Sequence, residues 1–536
     1  MDRISGLPKS ILHDILERLP DKDAAKTCVL SKSWRETWFS FPILSVCSKS
    51  FLSFHDLALS PKHPLWLGKL DIFIKYVNKR LMRLRDQHLT IKEVKLDLTY
   101  IIGHRNQVAH HIDRWIQIAI ESGVEVLELC FTGGYMGNWY NFPLCLTKAK
   151  SLTKLVLSGG IRLDPAFLNH SLEFFSMKTL SLSHILFGDE GVMEHFISHC
   201  PLMEHLTLDF CNVDNPQSIG DPPGSRTYRV QSLSLHGLQK LKGANVEGIL
   251  EVYIGAPNLQ KLCYRAPAER DESFKLNLDS CTNLKCLSLL YLSSADEWLH
   301  ELLYKIPYLE SLMLHNCSLS ERIKISGPQL KFFELSNCYN NVEEVNIDAP
   351  NLLSCNYMGD DKPVISFQRI SDQLEVNAYI DMNRWHLYEL REFFKNIKPQ
   401  KITESLPILH VSSCPPSIKS VQLHFVTDKE AHYLPLMSWS LWNCFPESIS
   451  FSLLPSFKMR AFILYFYEML MGCNKCKCDG RLMHPKIWWH GLKVVKVTHS
   501  GRTYENVEDV KAMLNALPKP EPESDVEEFI TFALEL

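Results

Sequence analysis

The chain has 536 residues, 46% of them hydrophobic and 22% charged, which excludes an intrinsically disordered chain and leaves room for two or three domains. A formal net charge of -4 argues against a nucleic-acid partner, which is held by clustered Lys and Arg. Seventeen cysteines, an odd number without framework spacing, read as reduced thiols, and the expected location is the nucleus, the cytoplasm or both.

The first residues, Met1-Asp2-Arg3-Ile4-Ser5-Gly6, lack the apolar stretch of a signal peptide. From Leu7 the apolar residues Ile11, Leu12, Ile15, Leu16 and Leu19 recur with a helical period between Pro8 and Pro20. Pro8 suits a first-turn position, and Pro20 cannot continue the helix. Asp21 is placed to cap a second short helix through Ala24, Ala25, Cys28 and Val29, and Ser31 a third, in which Trp34 and Trp38 share a face. Roughly 40 residues is the size below which lone domains usually fail, so part of this apolar surface is expected to meet something else.

The string resembles the F-box. Leu7-Pro8, Ile11, Ile15-Leu16, Leu19-Pro20, Val29-Leu30-Ser31-Lys32, Trp34-Arg35 and Trp38 carry the likeness, and Leu-Ser-Lys-x-Trp-Arg is similar to the plant form. The resemblance implies binding of a Skp-type adaptor and, through it, a cullin. The adaptor-binding residues expected are Leu7, Pro8, Ile11, Leu12, Ile15, Leu16, Leu19, Pro20, Val29, Leu30 and Trp34; Trp34 and Trp38 have internal packing as their alternative role. A helical cap on a repeat array is the rival reading of the whole segment.

Next comes a basic cluster, Lys75, Lys79, Arg80, Arg83 and Arg85, interleaved with Ile72, Phe73, Val77, Leu81 and Leu84, which reads as the solvated face of an amphipathic helix. His110-His111-Ile112-Asp113 reads as a polar helix face. From about residue 90 one pattern returns: apolar, two variable, apolar, one variable, apolar. It stands at Ile91-Val94-Leu96, Val124-Leu127-Leu129, Leu152-Leu155-Leu157, Met177-Leu180-Leu182, Met203-Leu206-Leu208 and Val230-Leu233-Leu235. It continues at Leu259-Leu262-Tyr264, Leu284-Leu287-Leu289, Leu309-Leu312-Leu314, Leu330-Phe333-Leu335, Leu352-Cys355-Tyr357 and Ile418-Val421-Leu423. Such spacing matches leucine-rich repeats, with Cys211, Cys317 and Cys338 at the N/C position of the signature as structural thiols.

Pro201, Pro257, Pro307, Pro328, Pro350 and Pro416 each stand two residues before a repeat, where a return segment ends and a strand begins. A doubly wound parallel sheet is the rival fold, weakened by the absence of phosphate-cradling glycine loops. The outward strand positions, such as Lys154, Thr179, Ser181, Thr207, Ser232, Ser234, Ser288 and Ser311, are mostly small and polar, and no basic cluster marks them for a phosphorylated peptide.

Beyond Phe425 the period is lost. Ala461 to Met471 reads as a buried helix, about half the ~20 apolar residues of a membrane span, so no membrane partner is expected. Leu492–Val497 alternates like a strand, Ser500-Gly501 turns, and Val507 to Leu517 reads as an amphipathic helix. With Trp488-Trp489-His490-Gly491-Leu492 ahead of it, this stretch is similar to the FBD region of plant F-box proteins. Lys519 to Asp525 is read as a solvated acidic linker. Cys473, Cys476, Cys478 and His484 could hold zinc, but a single C-x-x-C pair lacks its partner pair, so no metal or other cofactor is expected.

The expected fold class is α/β: a three-helix F-box over 1–46, a helical linker over 47–90, a curved leucine-rich-repeat solenoid over 91–425 and a small α+β FBD-like region over 426–536. No G-x-S-x-G, H-E-x-x-H or P-loop is present, which points away from an enzyme. The expected function is the substrate-recognition subunit of a Skp/cullin/F-box ubiquitin ligase, its repeats holding an unidentified target protein. The alternative is a repeat scaffold or small-molecule sensor outside any ligase.

Overall fold

The computed structural model describes residues 4, 7–19, 21–52, 63–101, 105–131, 139–214, 227–267, 274–292, 296–338, 342–359, 363–369, 371, 374–379, 398–399, 417–424, 445–453, 457–472, 494–516 and 528–535. They form two compact units, Met1–Cys281 and Thr282–Leu536.

The first unit opens with three short helices, α1 (Lys9–Glu17), α2 (Asp21–Lys26) and α3 (Lys32–Phe39), followed by a long α4 (Pro64–Asp86). Its repeats build one parallel sheet in which Ile43–Cys47 pairs with Glu93–Asp97, then Val126–Cys130, Lys154–Ser158, Thr179–Ser183, His205–Asp209, Gly243–Glu247 and Lys261–Arg265. Every strand is in register, so the signature leucines stack in columns: Leu155, Leu180 and Leu206 are each at most 1% exposed. Alternation then turns Thr179, Ser181 and Ser183 to the opposite face. On that face Lys154 pairs with Glu128 at 2.6 Å and Arg265 with Glu247 at 3.2 Å, leaving it polar and charge-paired. Burial and then the neighbouring Glu247 charge push the Asp209 carboxyl above its usual range.

The return segments carry short strands of their own. Tyr140–Asn141, Ile161–Leu163, Leu186–Phe187, Asn212–Asp214 and Thr227–Arg229 form one such sheet, and Ser232–His236, Glu251–Gly255 and Lys275–Asn277 form another. This corrects the repeat read at Val230-Leu233-Leu235: Ser232 and Ser234 belong to the return sheet, and the main-sheet strand is Gly243–Glu247, entered through Leu241, Ala244 and Val246. The small Ala244 hid that strand, and Leu233 and Leu235 imitated it. At the start of the unit, Phe41-x-x-Leu44-x-Val46 obeys the repeat pattern as well, and its strand Ile43–Cys47 pairs with Glu93–Asp97, so the first strand of the sheet overlaps the end of the segment expected as an F-box.

Two local devices set each repeat. The entry is a β-turn with proline at its second position: the amides of Met203 and Leu259 donate to the carbonyls of Cys200 and Ala256, spanning Pro201 and Pro257. In the second unit Leu309, Leu330 and Leu352 do the same across Pro307, Pro328 and Pro350. Proline therefore marks the phase because its fixed φ pre-forms the turn; Pro416 lies outside the described residues. The exit is a residue with positive φ directly after the strand. Gly159, His184, Phe210 and Gly248 in the first unit, and Tyr291, Asn316 and Asn337 in the second, take φ between 44° and 83°. Each turns its amide onto the next strand's last carbonyl, as His184 does to Asp209 at 2.7 Å and Asn316 to Ser336 at 2.8 Å.

Behind the exit turns sit the thiols. Cys211 donates to the Leu182 carbonyl at 3.4 Å, Cys281 to Ile254 at 3.4 Å, Cys317 to Leu289 at 3.5 Å and Cys338 to Leu314 at 3.5 Å, each reaching into the preceding repeat. All four are buried and free, and burial pushes the Cys211 thiol up to about 12. They act as structural donors inside the turns.

In the second unit Cys286–Leu290, Ser311–His315, Phe332–Ser336, Ser354–Met358, Glu375–Tyr379, Ser417–His424 and Phe445–Leu453 pair in turn, all parallel. The sheet thus runs past Phe425, where periodicity in the sequence stops. Glu528–Glu535 then adds antiparallel to Phe445–Leu453 and to Val494–His499. Ser500 and Gly501, with φ 48° and 75°, make a tight two-residue hairpin to Arg502–Tyr504 where a strand–turn–helix was read; the helix, Val507–Ala516, follows it. Helix Phe457–Gly472 buries Ile463, Phe466, Tyr467 and Leu470, as its composition implied. The stretch read as an acidic linker lies outside the described residues, as do Cys473, Cys476, Cys478 and His484. Among the described residues no helix is long and apolar enough to cross a membrane.

Candidate functional site

Helices α1 to α3 fold around a small core of Leu12, Leu16, Ala24, Trp34, Trp38 and Phe41, against which Ile15, Leu19, Ala25, Cys28, Phe39 and Ile43 pack in part. Local chemistry fixes each element. The Ser31 side chain accepts from the Trp34 amide at 3.2 Å and starts α3. Thr27 donates to the Ala24 carbonyl at 2.6 Å as α2 tightens into a 3-10 turn over Thr27–Val29. Trp38 stacks with Phe41 at 6.1 Å, and the His13 ring meets Phe41 edge-on at 5.4 Å. Burial, reinforced by the Lys9 charge, lowers the His13 pKa below its ordinary value.

The stripe read as one face in α1 therefore splits. Leu12 and Leu16, each 1% exposed, and Trp34, 4% exposed, point into the core and have no surface left to offer an adaptor. Trp38 is likewise internal. Ile15 and Leu19 lie at the edge of the core, half-buried. Leu7, Pro8 and Ile11 are exposed, and beyond the 3-10 turn Val29 is 86% and Leu30 62% exposed. Pro20 lies outside the described residues.

The sequence reading missed Arg80. Taken as part of a solvated face, it is 3% exposed. Its guanidinium donates to the carbonyls of Trp38 at 2.9 Å, Phe41 at 3.3 Å and Ile43 at 3.5 Å, and lies 4.1 Å from the centre of the Trp38 ring. A cation thus sits at the C-terminal end of α3, sharing the Trp38 carbonyl with the Phe41 amide, reaching the carbonyls of Phe41 and Ile43 beyond the helix, and complementing the helix dipole. The signal was present: Phe73, Val77, Arg80 and Leu84 follow the 3–4 spacing of the buried stripe of α4. One turn later the Arg83 guanidinium stacks 3.7 Å from the Phe39 ring. The opposite end of this packing is set by Trp115 donating to Asn78 at 2.7 Å, and by Asp113 accepting from Tyr140 at 2.6 Å. Asp113 is therefore engaged with the neighbouring repeat, and Ile112 beside it is buried, which revises the polar-face reading of that cluster.

Two family models match the chain. The F-box domain family matches residues 4–46, and the family described as At1g61320/AtMIF1, LRR domain, matches residues 84–275 and 273–405. Among relatives, F-box/LRR-repeat protein At2g42720 of Arabidopsis thaliana is 31% identical over 39% of this chain and 44% of its own length. F-box/LRR-repeat protein 13 of the same plant is 26% identical over 63% and 68%, and FBD-associated F-box protein At5g60610 is 25% identical over 76% and 92%. The match thus spans under half of the first of these relatives. A solved leucine-rich repeat domain, that of APL1, superposes at a TM-score of 0.30 with 15% identity, covering 60% of this chain and 79% of its own. Three helices closed by an arginine from the repeat side, and two family matches that together span most of the chain, lead to one assignment: the chain belongs to the F-box/leucine-rich-repeat family.

Proposed function

We propose that this chain is the substrate-recognition subunit of a Skp/cullin/F-box ubiquitin ligase. Its N-terminal helices dock a Skp-type adaptor, and through it a cullin, while the outward strand faces of the repeats hold a target protein. The observation that carries this reading is the exposure of Val29 and Leu30 beside a core that is already complete. Exposed apolar side chains that adjoin one another mark an interaction surface where singly scattered ones do not. Fully burying an exposed Val or Leu contributes about 1.5–3 kcal/mol, so Val29 and Leu30 are the larger contributors and Leu7 and Ile11, already partly covered, add less. The chain supplies proximity and leaves bond chemistry to the partner enzymes of the ligase. Nucleus and cytoplasm are the compartments proposed, in keeping with buried free thiols.

The test is capture of a plant Skp-type adaptor by the full chain. The wild type should bind, and Val29→Glu/Leu30→Glu should lose binding while keeping its melting temperature, since neither side chain belongs to the core. Undiminished capture by that variant removes these residues from the interface. No capture by the wild type leaves a repeat scaffold outside any ligase.

A further inference from the structure

In the second unit the exit turns of two successive repeats are built alike. Ser311–His315 and Phe332–Ser336 pair in register, His315 opposite Ser336, and each strand is followed by an asparagine with positive φ, Asn316 at 52° and Asn337 at 50°. The register therefore carries on through the turns and sets Cys317 opposite Cys338. Cys317 Sγ lies 3.5 Å from the Leu289 carbonyl and 3.4 Å from that of His315, and Cys338 Sγ lies 3.5 Å from Leu314 and 3.6 Å from Ser336. The two sulfurs thus adjoin consecutive carbonyls, Leu314 and His315, of a single strand end. Neighbouring strands stand about 4.8 Å apart, inside the Cα separation of about 4.4–6.8 Å that a disulfide spans. Cys211 occupies the equivalent turn of the first unit, but its counterparts in the neighbouring repeats, Ile185 after His184 and Ile249 after Gly248, carry no sulfur. Cys317 and Cys338 are both free, at 0% and 9% exposure.

We propose that Cys317 and Cys338 are a site of oxidative modification, a thiol pair that hydrogen peroxide converts to a disulfide joining the two repeats. The Cys338 S–H, which can leave the Leu314 carbonyl for an ionised neighbour, holds the Cys317 thiol below its ordinary pKa and makes Cys317 the nucleophile. Its thiolate attacks a peroxide oxygen and the O–O bond breaks. The departing hydroxide takes up the proton that Cys317 released, giving water and a sulfenic acid on Cys317. The Cys338 sulfur then attacks the Cys317 sulfur, the S–O bond breaks, and the leaving hydroxide departs with the Cys338 proton as a second water. Two thiols are oxidised and one peroxide is reduced to two waters. The bond ties together two strands whose outward positions belong to the face proposed to hold a target, and a dithiol reductant reverses it by exchange.

The experiment exposes the full chain to hydrogen peroxide, blocks the remaining thiols with iodoacetamide under denaturing conditions and digests it with trypsin, which cuts at Lys331 between the two cysteines. A peptide pair joined through Cys317 and Cys338 should appear, and should vanish on treatment with dithiothreitol. Cys317 should be lost to oxidation at least fivefold faster than Cys211, its buried counterpart without a neighbouring thiol in the turn. Cys338→Ser keeps a hydroxyl donor for the turn but removes the resolving sulfur, so Cys317 should stop at the sulfenic acid and be captured by dimedone. Melting temperatures confirm that the variant folds. If Cys317 and Cys338 outlast the peroxide as Cys211 does, or cross-link to other cysteines instead of to each other, the proposal is overturned. The wild-type chain alone decides this, whatever the variant does.

Discussion

The N-terminal helices and the repeats use the same apolar residue types to opposite ends. In a repeat, Leu312 at 0% and Leu314 at 1% exposure have a neighbouring strand on either side, in register with Leu287 and Phe333, so every signature side chain finds cover. Among the described residues of the helices, Leu12, Leu16, Trp34 and Trp38 turn into a core of the helices' own, whereas Val29 and Leu30 stay largely exposed and Leu7 and Ile11 partly so. Stacking thus covers the signature side chains of a repeat, whereas the N-terminal helices keep apolar side chains exposed, the surface on which the proposed docking rests.

That contrast can be broken by substitution. Trp38→Ala should destabilise the first unit by about 3–5 kcal/mol and Leu312→Ala the second by about 2–5 kcal/mol, read by denaturant unfolding. Val29→Ala and Leu30→Ala should stay within about 0.5 kcal/mol of wild type. Comparable losses at Leu30 and Leu312 would erase the distinction. Arg80→Met keeps much of the apolar stem but removes the guanidinium from the carbonyls of Phe41 and Ile43 and leaves Trp38 only the Phe41 amide, for a loss of about 2–3 kcal/mol and faster amide exchange at the end of α3. Ser31→Ala removes the cap of α3 at a cost of about 1 kcal/mol. The smallest effect concerns pH. The neutral form of His13 is favoured in the fold by burial and by Lys9, so its contribution is fully present above the ordinary histidine pKa of about 6.5 and is lost as pH falls toward the lowered value. Thermal melts at pH 7.5 and 5.5 should show the loss on acidification, reduced in His13→Gln.

The parts legible in the sequence are those where one residue does one job. The leucine columns, the prolines before strands and the Ser31 cap each follow from local geometry. Gly243–Glu247 was not legible, because Ala244 is too small to read as a signature residue while Leu233 and Leu235 satisfied the pattern on the wrong sheet. Phe41-x-x-Leu44-x-Val46 went unnoticed because those residues follow directly on the F-box motif and Phe41 serves both cores. At the site, α1 displayed an apolar stripe but not its division, since Ile11 and Leu12 are adjacent in sequence and differ only in which neighbour they face. Arg80 was hidden by its charge: an arginine beside other basic residues reads as solvated until the carbonyls it satisfies are known.

Arg80 has one more consequence, for biosynthesis. On the ribosome the residues of the F-box motif emerge well before α4, so the nascent segment must wait for some forty further residues before the guanidinium can close it. A protein cut where the motif ends would be left with that end permanently ajar, and a fragment carried through Asp86 is the shortest that includes its own latch.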